Sequence, residues 1–438
     1  MARKWFQQAG RKACVVGLDG VPYSMLHRLM RAGAMPHTAK IAASGRFETM
    51  DVSLPEISSV SWTTFMTARN PGQHGIFGFT DLHPGSYKTR FPSFRDVRCP
   101  TIFECLGEAK MRSVVINQPA TYPARPIHGS LVSGFVAIHL DKAVFPARHI
   151  KTARQMGYRI DLDAGEVRDD PDLLFTRLGE LLQSRRRMFD ALEQEESWNL
   201  MEVIVTGTDR LHHFLFDAWQ DPDHPYHQRF LDYYHDVDAL IGHIHTRFAS
   251  TQNANNFFVL SDHGFCQARH EVYPNAILAR EHFLELSGAA PDPLEGISES
   301  SRAFALDPAR IYVNRRTRFP RGSVPEGSVA NVKKDLTALF GALEHDGHPV
   351  VRHIFDGDDV YDGPEKHNAP DLLLVPYNGY DMKGRVTADH PIGPRRLQGM
   401  HTWDDAFFIT TRPDLVPARD SFHLIDVPRM LLESLDVD

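Results

Sequence analysis

Cysteine is scarce in this 438-residue chain, positive charge is not in excess, and no apolar run approaches the length of a membrane span. The four cysteines, Cys14, Cys99, Cys105 and Cys266, form no CxxC pair and no disulfide-dense spacing. That argues against a disulfide-stapled scaffold and suits a reducing compartment. Lys plus Arg total 48 against 56 Asp plus Glu, a formal net charge of −8, so non-specific nucleic-acid binding is not expected as the main activity. The run from Cys14 to Leu18 is too short for a signal-peptide core and ends at Asp19. Together these absences predict a soluble cytoplasmic protein with no membrane partner. Neither a repeat nor a low-complexity segment is evident.

What is present is an ordinary globular composition, 42% hydrophobic and 24% charged, with 24 histidines. Several histidines stand beside Asp, as in Asp262-His263, Asp223-His224 and Asp389-His390, which makes metal chemistry worth seeking. Short apolar runs alternate with amphipathic stretches. Residues 13–18 lead into Asp19-Gly20, 113–117 follow a helical segment near 102–109, 201–205 lead into Thr206-Gly207-Thr208-Asp209, and 256–260 lead into Ser261-Asp262-His263-Gly264. Runs at 371–375 and 406–409 are later strand candidates. Phe230, Tyr234, Val237, Ile241, Ile244 and Phe248 recur at helical steps, and a second helix is expected from Pro171 to about Glu195 with Asp170 as N-cap. This grammar predicts one α/β domain over residues 1–438, with a mostly parallel central sheet and helices on both faces. Segments 80–100, 120–170 and 266–325 fit poorly; within 80–170 and 266–325 they are expected to form a cap over the C-terminal ends of the strands.

The stretch from Pro55 through Ser58, Ser59 and Ser61 to Trp62, Phe65 and Met66 places hydroxyls where a short helix begins. One reading is an ordinary serine cap; the other is a nucleophile held beside a metal in the field of a helix N-terminus. Asp209 and His213 lie four residues apart on one helical face, Asp262-His263 follows a buried strand, and His401 is expected in a loop ahead of the strand at 406. Asp19, Ser58, Asp209, His213, Asp262, His263 and His401 all fall near predicted strand ends. Their mixture of hard oxygen and imidazole suits zinc, manganese or iron in a two-metal centre.

In order and spacing these motifs resemble the alkaline phosphatase superfamily, in its branch of type I phosphodiesterases and nucleotide pyrophosphatases. The resemblance spans nearly the whole chain: Gly17-Leu-Asp-Gly20, the block from Pro55 to Phe79, Thr208-Asp-Arg-Leu-His-His213, Ser261-Asp-His-Gly-Phe265, Arg302-Ala-Phe-Ala305 with Ile311-Tyr-Val-Asn314, Ala369-Pro-Asp371 and Gly399-Met-His401. It implies one metal held by Asp209, His213 and His401, another held by Asp19, Asp262 and His263, and Ser58 as the nucleophile that also bridges to the second metal. Ser61 stands where relatives carry an asparagine that contacts the substrate phosphate, and Ala68 where glycine is usual. Ser59 is the neighbouring alternative to Ser58.

The implied chemistry is hydrolysis of phosphate esters, foremost phosphodiesters or nucleotide pyrophosphates, through a phosphoseryl intermediate and two divalent transition-metal ions, zinc before manganese or iron. The partner is a small-molecule phosphate ester. Rival readings are a phosphomonoesterase or phosphosugar mutase, a phosphonate hydrolase, a sulfatase, which the lack of a CxPxR-like cysteine disfavours, and a metal-stabilised binding protein without turnover.

Overall fold

The computed structural model describes residues 11–251, 254–288, 292–418 and 422–437. Eight segments form the central sheet: β1 (Lys12–Leu18), β2 (Arg46–Met50), β3 (Ser113–Gln118), β4 (Gly129–Ser133), β5 (Val144–Phe145), β6 (Leu200–Val205), β7 (Ala254–Leu260) and β8 (Ala406–Thr410). Their spatial order is β2-β8-β7-β1-β6-β3-β4-β5. The five strands from β7 to β4 run parallel, while β2, β8 and β5 pair antiparallel at the edges. Apolar side chains dominate the inner strands because helices cover both faces.

One face packs α2 (Pro171–Glu195), α3 (Gly207–Gln220) and α4 (His227–Ala249); the other packs α1 (Ser58–Thr67) and α5 (Val427–Ser434). Asp170 caps α2 by accepting the Leu173 N–H at 2.9 Å, and the α4 stripe from Phe230 to Phe248 is buried against the sheet. Burying each large apolar side chain contributes about 1.5–3 kcal/mol. Packing therefore outweighs intrinsic helix propensity in holding these helices. Among the described residues no helix is long and apolar enough to cross a membrane.

Two expectations are corrected. Residues 129–133 and 144–145, assigned to a cap, are sheet strands β4 and β5. Gly129-Ser-Leu-Val-Ser133 is short and more than half serine or glycine, so its apolar signal is weak. Gly129 adopts φ +143°, and a Cβ there would lie 1.9 Å from the Ser113 carbonyl oxygen, so the close approach of β4 to β3 requires glycine. The run at 371–375, expected to follow the central pattern, instead lies in a second, antiparallel sheet built from Ala303–Leu306, Arg310–Val313, Leu372–Pro376 and Val351–Asp356. Both faces of Leu372–Pro376 are buried, Leu372 and Leu374 in one core and Leu373 and Val375 in another, which produces the same unbroken apolar run as a central strand. The segment 266–325, whose residues 289–291 lie outside the described set, supplies two strands of this second sheet. The 80–100 segment folds as a short hairpin, Asp81–Leu82 with Thr89–Arg90, tied to the second sheet by Arg310, which donates to Asp81 at 2.6 Å.

One residue strains the core. Glu202, on β6 in register with Val15 and Val115, is fully buried, and among the described residues neither carboxyl oxygen has a hydrogen-bond partner. Burial pushes its pKa up from 4.5 to about 8. Because the folded-state value is raised, the stability tied to this group is complete below pH 4.5 and is lost as pH rises towards 8, a loss on the order of 3–5 kcal/mol. Glu202→Met should therefore raise the denaturant midpoint, with a larger gain at pH 8 than at pH 5. An equal gain at both pH values would refute the assignment.

Candidate metal centre

The parallel strands deliver their functional groups to one sheet edge. Asp19 follows β1, Asp209 sits in the first turn of α3 directly after β6, and Asp262 and His263 follow β7. His401 lies not in a loop but in the strand Gly399–Thr402, paired antiparallel with Gly264–Gln267 so that it faces Phe265. Backbone pairing therefore fixes its position.

Ser58 is the first residue of α1, but the cap position is Ile57 and no side chain caps the helix. The Ser58 hydroxyl points elsewhere, 3.1 Å from Asp19 Oδ1 and 3.2 Å from His263 Nε2. Ser59 lines a separate apolar slot with Phe79 and Phe135, whose rings stack at 5.6 Å. Ser61, expected to contact substrate phosphate, is completely buried, its hydroxyl has no hydrogen-bond partner among the described residues, and it lines neither that slot nor the cavity beside His401. One helical turn carries it behind Ser58 into the core, so that expectation is withdrawn.

Two donor groups converge. Asp209 Oδ1, His213 Nε2 and His401 Nε2 lie 3.1–3.3 Å from one another. His263 Nε2 lies 3.6 Å from Asp19 Oδ1 and 3.5 Å from Asp262 Oδ2. The His263 and His401 rings stack at 3.7 Å, and His263 is also within 4.8 Å of the Asp209 and His401 donor atoms, so it joins the two groups.

The surroundings orient every donor. Nδ1 of His213, His263 and His401 faces the carbonyl oxygens of Gly399, Gly264 and Glu56 at 3.2, 3.0 and 2.9 Å, so each Nδ1–H donates and each Nε2 presents a lone pair inward. Trp62 Nε1–H donates to Asp19 Oδ2 at 3.0 Å, and the Gly20 N–H donates to Asp262 Oδ1 at 3.0 Å. Gly17 makes room for this tryptophan: a Cβ there would meet Trp62 Cη2 at 2.4 Å. Arg210 donates to Asp209 at 3.2 Å and to Asp161 at 2.7 Å while lying over the Phe135 ring.

The electrostatics ask for cations. Burial, then Asp262 and Asp209, push Asp19 well above the usual carboxylate range, and burial also raises Asp262 well above it. Burial would likewise raise Asp209, but His213, His401 and Arg210 hold it well below its ordinary value. Burial and His401 drive His263 down to about 4, keeping its imidazole neutral. Three buried carboxylates with inward imidazole lone pairs form a poor apo arrangement and a suitable one for two divalent transition-metal ions.

A cavity of about 180 Å³ opens beside His213 and His401, walled by Ile57, Phe79, Pro308, Leu374 and Met400 and carrying Glu56, Asp307, Asp381 and Lys383. Its far wall comes from the second sheet. Burial pushes Glu56 up to about 7. Sequence reasoning read Trp62 only as an apolar position of the short helix, gave Glu56 and Phe79 no role although they lie within the block from Pro55 to Phe79, and missed Asp307 and Lys383, which no local motif marks.

A family model described as type I phosphodiesterase / nucleotide pyrophosphatase matches residues 13–404. Among solved structures, phosphonoacetate hydrolase from Sinorhizobium meliloti in complex with phosphonoacetate is 16% identical with a TM-score of 0.63, covering 98% of this chain and 95% of that one. Murine ectonucleotide pyrophosphatase / phosphodiesterase 5, in an inactive form with AMP, is 16% identical with a TM-score of 0.57, covering 98% of this chain and 96% of that one. At that identity the likeness establishes a shared fold. No curated protein sequence matches the chain. With the family match running from the first strand of the central sheet past His401, the chain belongs to the type I phosphodiesterase / nucleotide pyrophosphatase family of the alkaline phosphatase superfamily.

Proposed function

We propose that the protein is a metal-dependent phosphodiesterase in which Ser58 is the nucleophile, with Asp209, His213 and His401 holding one divalent transition-metal ion, zinc foremost, and Asp19, Asp262 and His263 the other. The observation that carries this reading is the Ser58 hydroxyl, free of any capping role and 3.1–3.2 Å from ligand atoms of Asp19 and His263. When bound, the ions supply Lewis acidity that lowers the hydroxyl pKa and offsets charge on the phosphoryl oxygens. Ser58 Oγ attacks phosphorus, the bond from phosphorus to the departing ester oxygen breaks, and an alcohol leaves; water then attacks the phosphoseryl group, restores the hydroxyl and releases the second product. The N–H groups of Ser58 and Ser59, in the first turn of α1, lack intrahelical partners and can stabilise the transferring group. Trp62 fixes Asp19, and the backbone-bonded imidazoles keep their lone pairs aimed inward.

The substrate is a small-molecule phosphate ester, and the free cysteines support a cytoplasmic location. Diesters are favoured over monoesters because the residues on either side of Ser58 in the chain line two recesses, Ile57 the polar cavity beside His401 and Ser59 the apolar Phe79–Phe135 slot. Metal-reconstituted protein assayed on nucleotide diesters, phosphonates, sulfate esters and monoesters should show kcat/KM at least about tenfold higher on diesters, the difference one well-placed ester group makes. A monoester preference would favour the phosphomonoesterase or mutase reading. Silence on every ester with metals bound would favour a binding protein.

A further inference from the structure

We propose that a cavity between the second sheet and the hairpin at 81–90, separate from the metal-facing strand ends, binds the doubly charged phosphoryl group of a phosphate monoester through Arg318 and Arg98. The cavity has a volume of about 340 Å³ and adjoins another of about 420 Å³, the two meeting at Pro84, Gly85, Arg318, His367 and Asn368. Neither shares a lining residue with the cavity beside His401 or with the slot beside Ser59. Four arginines line the pair, and two are committed: Arg90 to Asp96 at 2.6 Å, and Arg315 to Asp371, with its Nε 3.0 Å from Oδ1. Arg98 and Arg318 have no carboxylate partner among the described residues. Of the two carboxylates lining the smaller cavity, Asp81 is neutralised by Arg310 at 2.6 Å, while Glu365 accepts only from the Asn368 side chain at 3.1 Å.

Arg318 is the centre of the site. Its guanidinium lies 5.0 and 5.1 Å from the ring centroids of Tyr312 and Phe319 and donates to the carbonyl oxygens of Ala369 and Asn368 at 2.7 and 2.5 Å. Those bonds fix its plane but bring no negative charge, and burial lowers its pKa from the ordinary arginine value. A cation held away from water without an anion is costly unless a ligand supplies one. Two of its five N–H groups are used, so three remain for oxygen acceptors. A phosphate monoester carries about two negative charges at pH 7, which match the two uncommitted guanidiniums, and its three terminal oxygens suit their fork of donors. The cavity is joined to the proposed reaction site by backbone: Gly75 and Phe77 line it, while Ile76, Gly78 and Phe79 line the slot beside Ser59.

The test is calorimetric titration of the full-length, metal-reconstituted protein with phenylphosphonate, which carries the phosphoryl dianion and has no ester bond to cleave, and with benzenesulfonate, a singly charged anion on the same ring. In buffer at about pH 8 both are fully ionised. Whatever the metal centre takes up, the native protein should bind one more equivalent of phenylphosphonate than Arg318→Gln does at equal metal content. The affinity of that equivalent should exceed the affinity for benzenesulfonate by about tenfold, the scale of one charge-assisted hydrogen bond. Arg98→Gln, a change at an exposed side chain, should weaken it by about tenfold, and Glu365→Gln, which removes the uncompensated carboxylate, should tighten it by about threefold. If Arg318→Gln does not fold, the opposite shifts in Arg98→Gln and Glu365→Gln decide the matter. Equal stoichiometry in the native protein and Arg318→Gln, or an affinity that neither Arg98→Gln nor Glu365→Gln moves, overturns the site. Equal affinity for the two anions overturns its assignment to a phosphoryl dianion. None of these outcomes depends on turnover at the metal centre.

Discussion

Ser58→Ala should lower kcat by about four orders of magnitude while leaving the fold and most bound metal in place, because removal of a nucleophile leaves only the rate enhancement from binding and electrostatics. The hydroxyl contributes little to stability: it caps no helix, and its neighbours Asp19 and His263 keep other partners, Trp62 for the carboxylate and the Gly264 carbonyl for the imidazole. Ser59→Ala should cost much less, since Ser59 lines the apolar slot and not the ligand cluster. Mass spectrometry of acid-quenched enzyme should find a phosphoryl group on the peptide containing Ser58, and a diester chiral at phosphorus should react with retention. Full activity in Ser58→Ala, or inversion at phosphorus, would mean direct attack by water.

Chelation should abolish activity, and reconstitution should restore about two transition-metal ions per chain together with a higher unfolding temperature. The stability effect has a definite source. Asp19 and Asp262 are each buried to within 2% of complete, and burial together with neighbouring carboxylates raises both well above the usual carboxylate range, so without cations their ionised forms oppose folding. At metal concentrations about a thousandfold above Kd the linkage contributes about 4 kcal/mol per site. Asp209→Ala and Asp262→Ala should each reduce elemental content by about one ion. Because His263 reaches both donor groups, His263→Ala is expected to weaken both sites. Loss of both ions from every single variant would mean that the two sites form one inseparable unit, and absence of metal after reconstitution would overturn the proposed chemistry.

Local pattern determined a large part of this protein. Buried strands followed at once by Asp19, by Asp209 and by Asp262-His263 were legible because, in a doubly covered sheet, an apolar run that ends in a carboxylate marks the place where a buried strand reaches the open edge. Helices α2 and α4 were legible from a proline after a capping aspartate and from an apolar stripe at helical steps. The strand at 372–376 was visible as a strand but not assignable to a sheet, since burial on both faces looks the same in sequence whether the neighbours run parallel or antiparallel. Strand β4 was hidden because close packing at Gly129 replaced apolar side chains with backbone contact.

Ser58 and Ser61 show where sequence stops. Both are serines at the start of one helix, and only the helix's seating against β1, made possible by Gly17 beneath Trp62, turns one towards Asp19 and His263 and buries the other. His401 was found by its residue type and neighbours, yet its aim depends on pairing with Gly264–Gln267, residues more than a hundred positions away. The polar cavity is a tertiary product altogether: Glu56 precedes α1, Asp307 follows the strand Ala303–Leu306, and Asp381 and Lys383 lie within and just after the strand Tyr380–Met382. Sequence alone determined which chemistry-bearing groups the chain owns and which strand ends carry them, because those follow from local periodicity. Tertiary structure decided which oxygen faces which nitrogen and what charge surrounds them, because distances between groups far apart in the chain are set by packing.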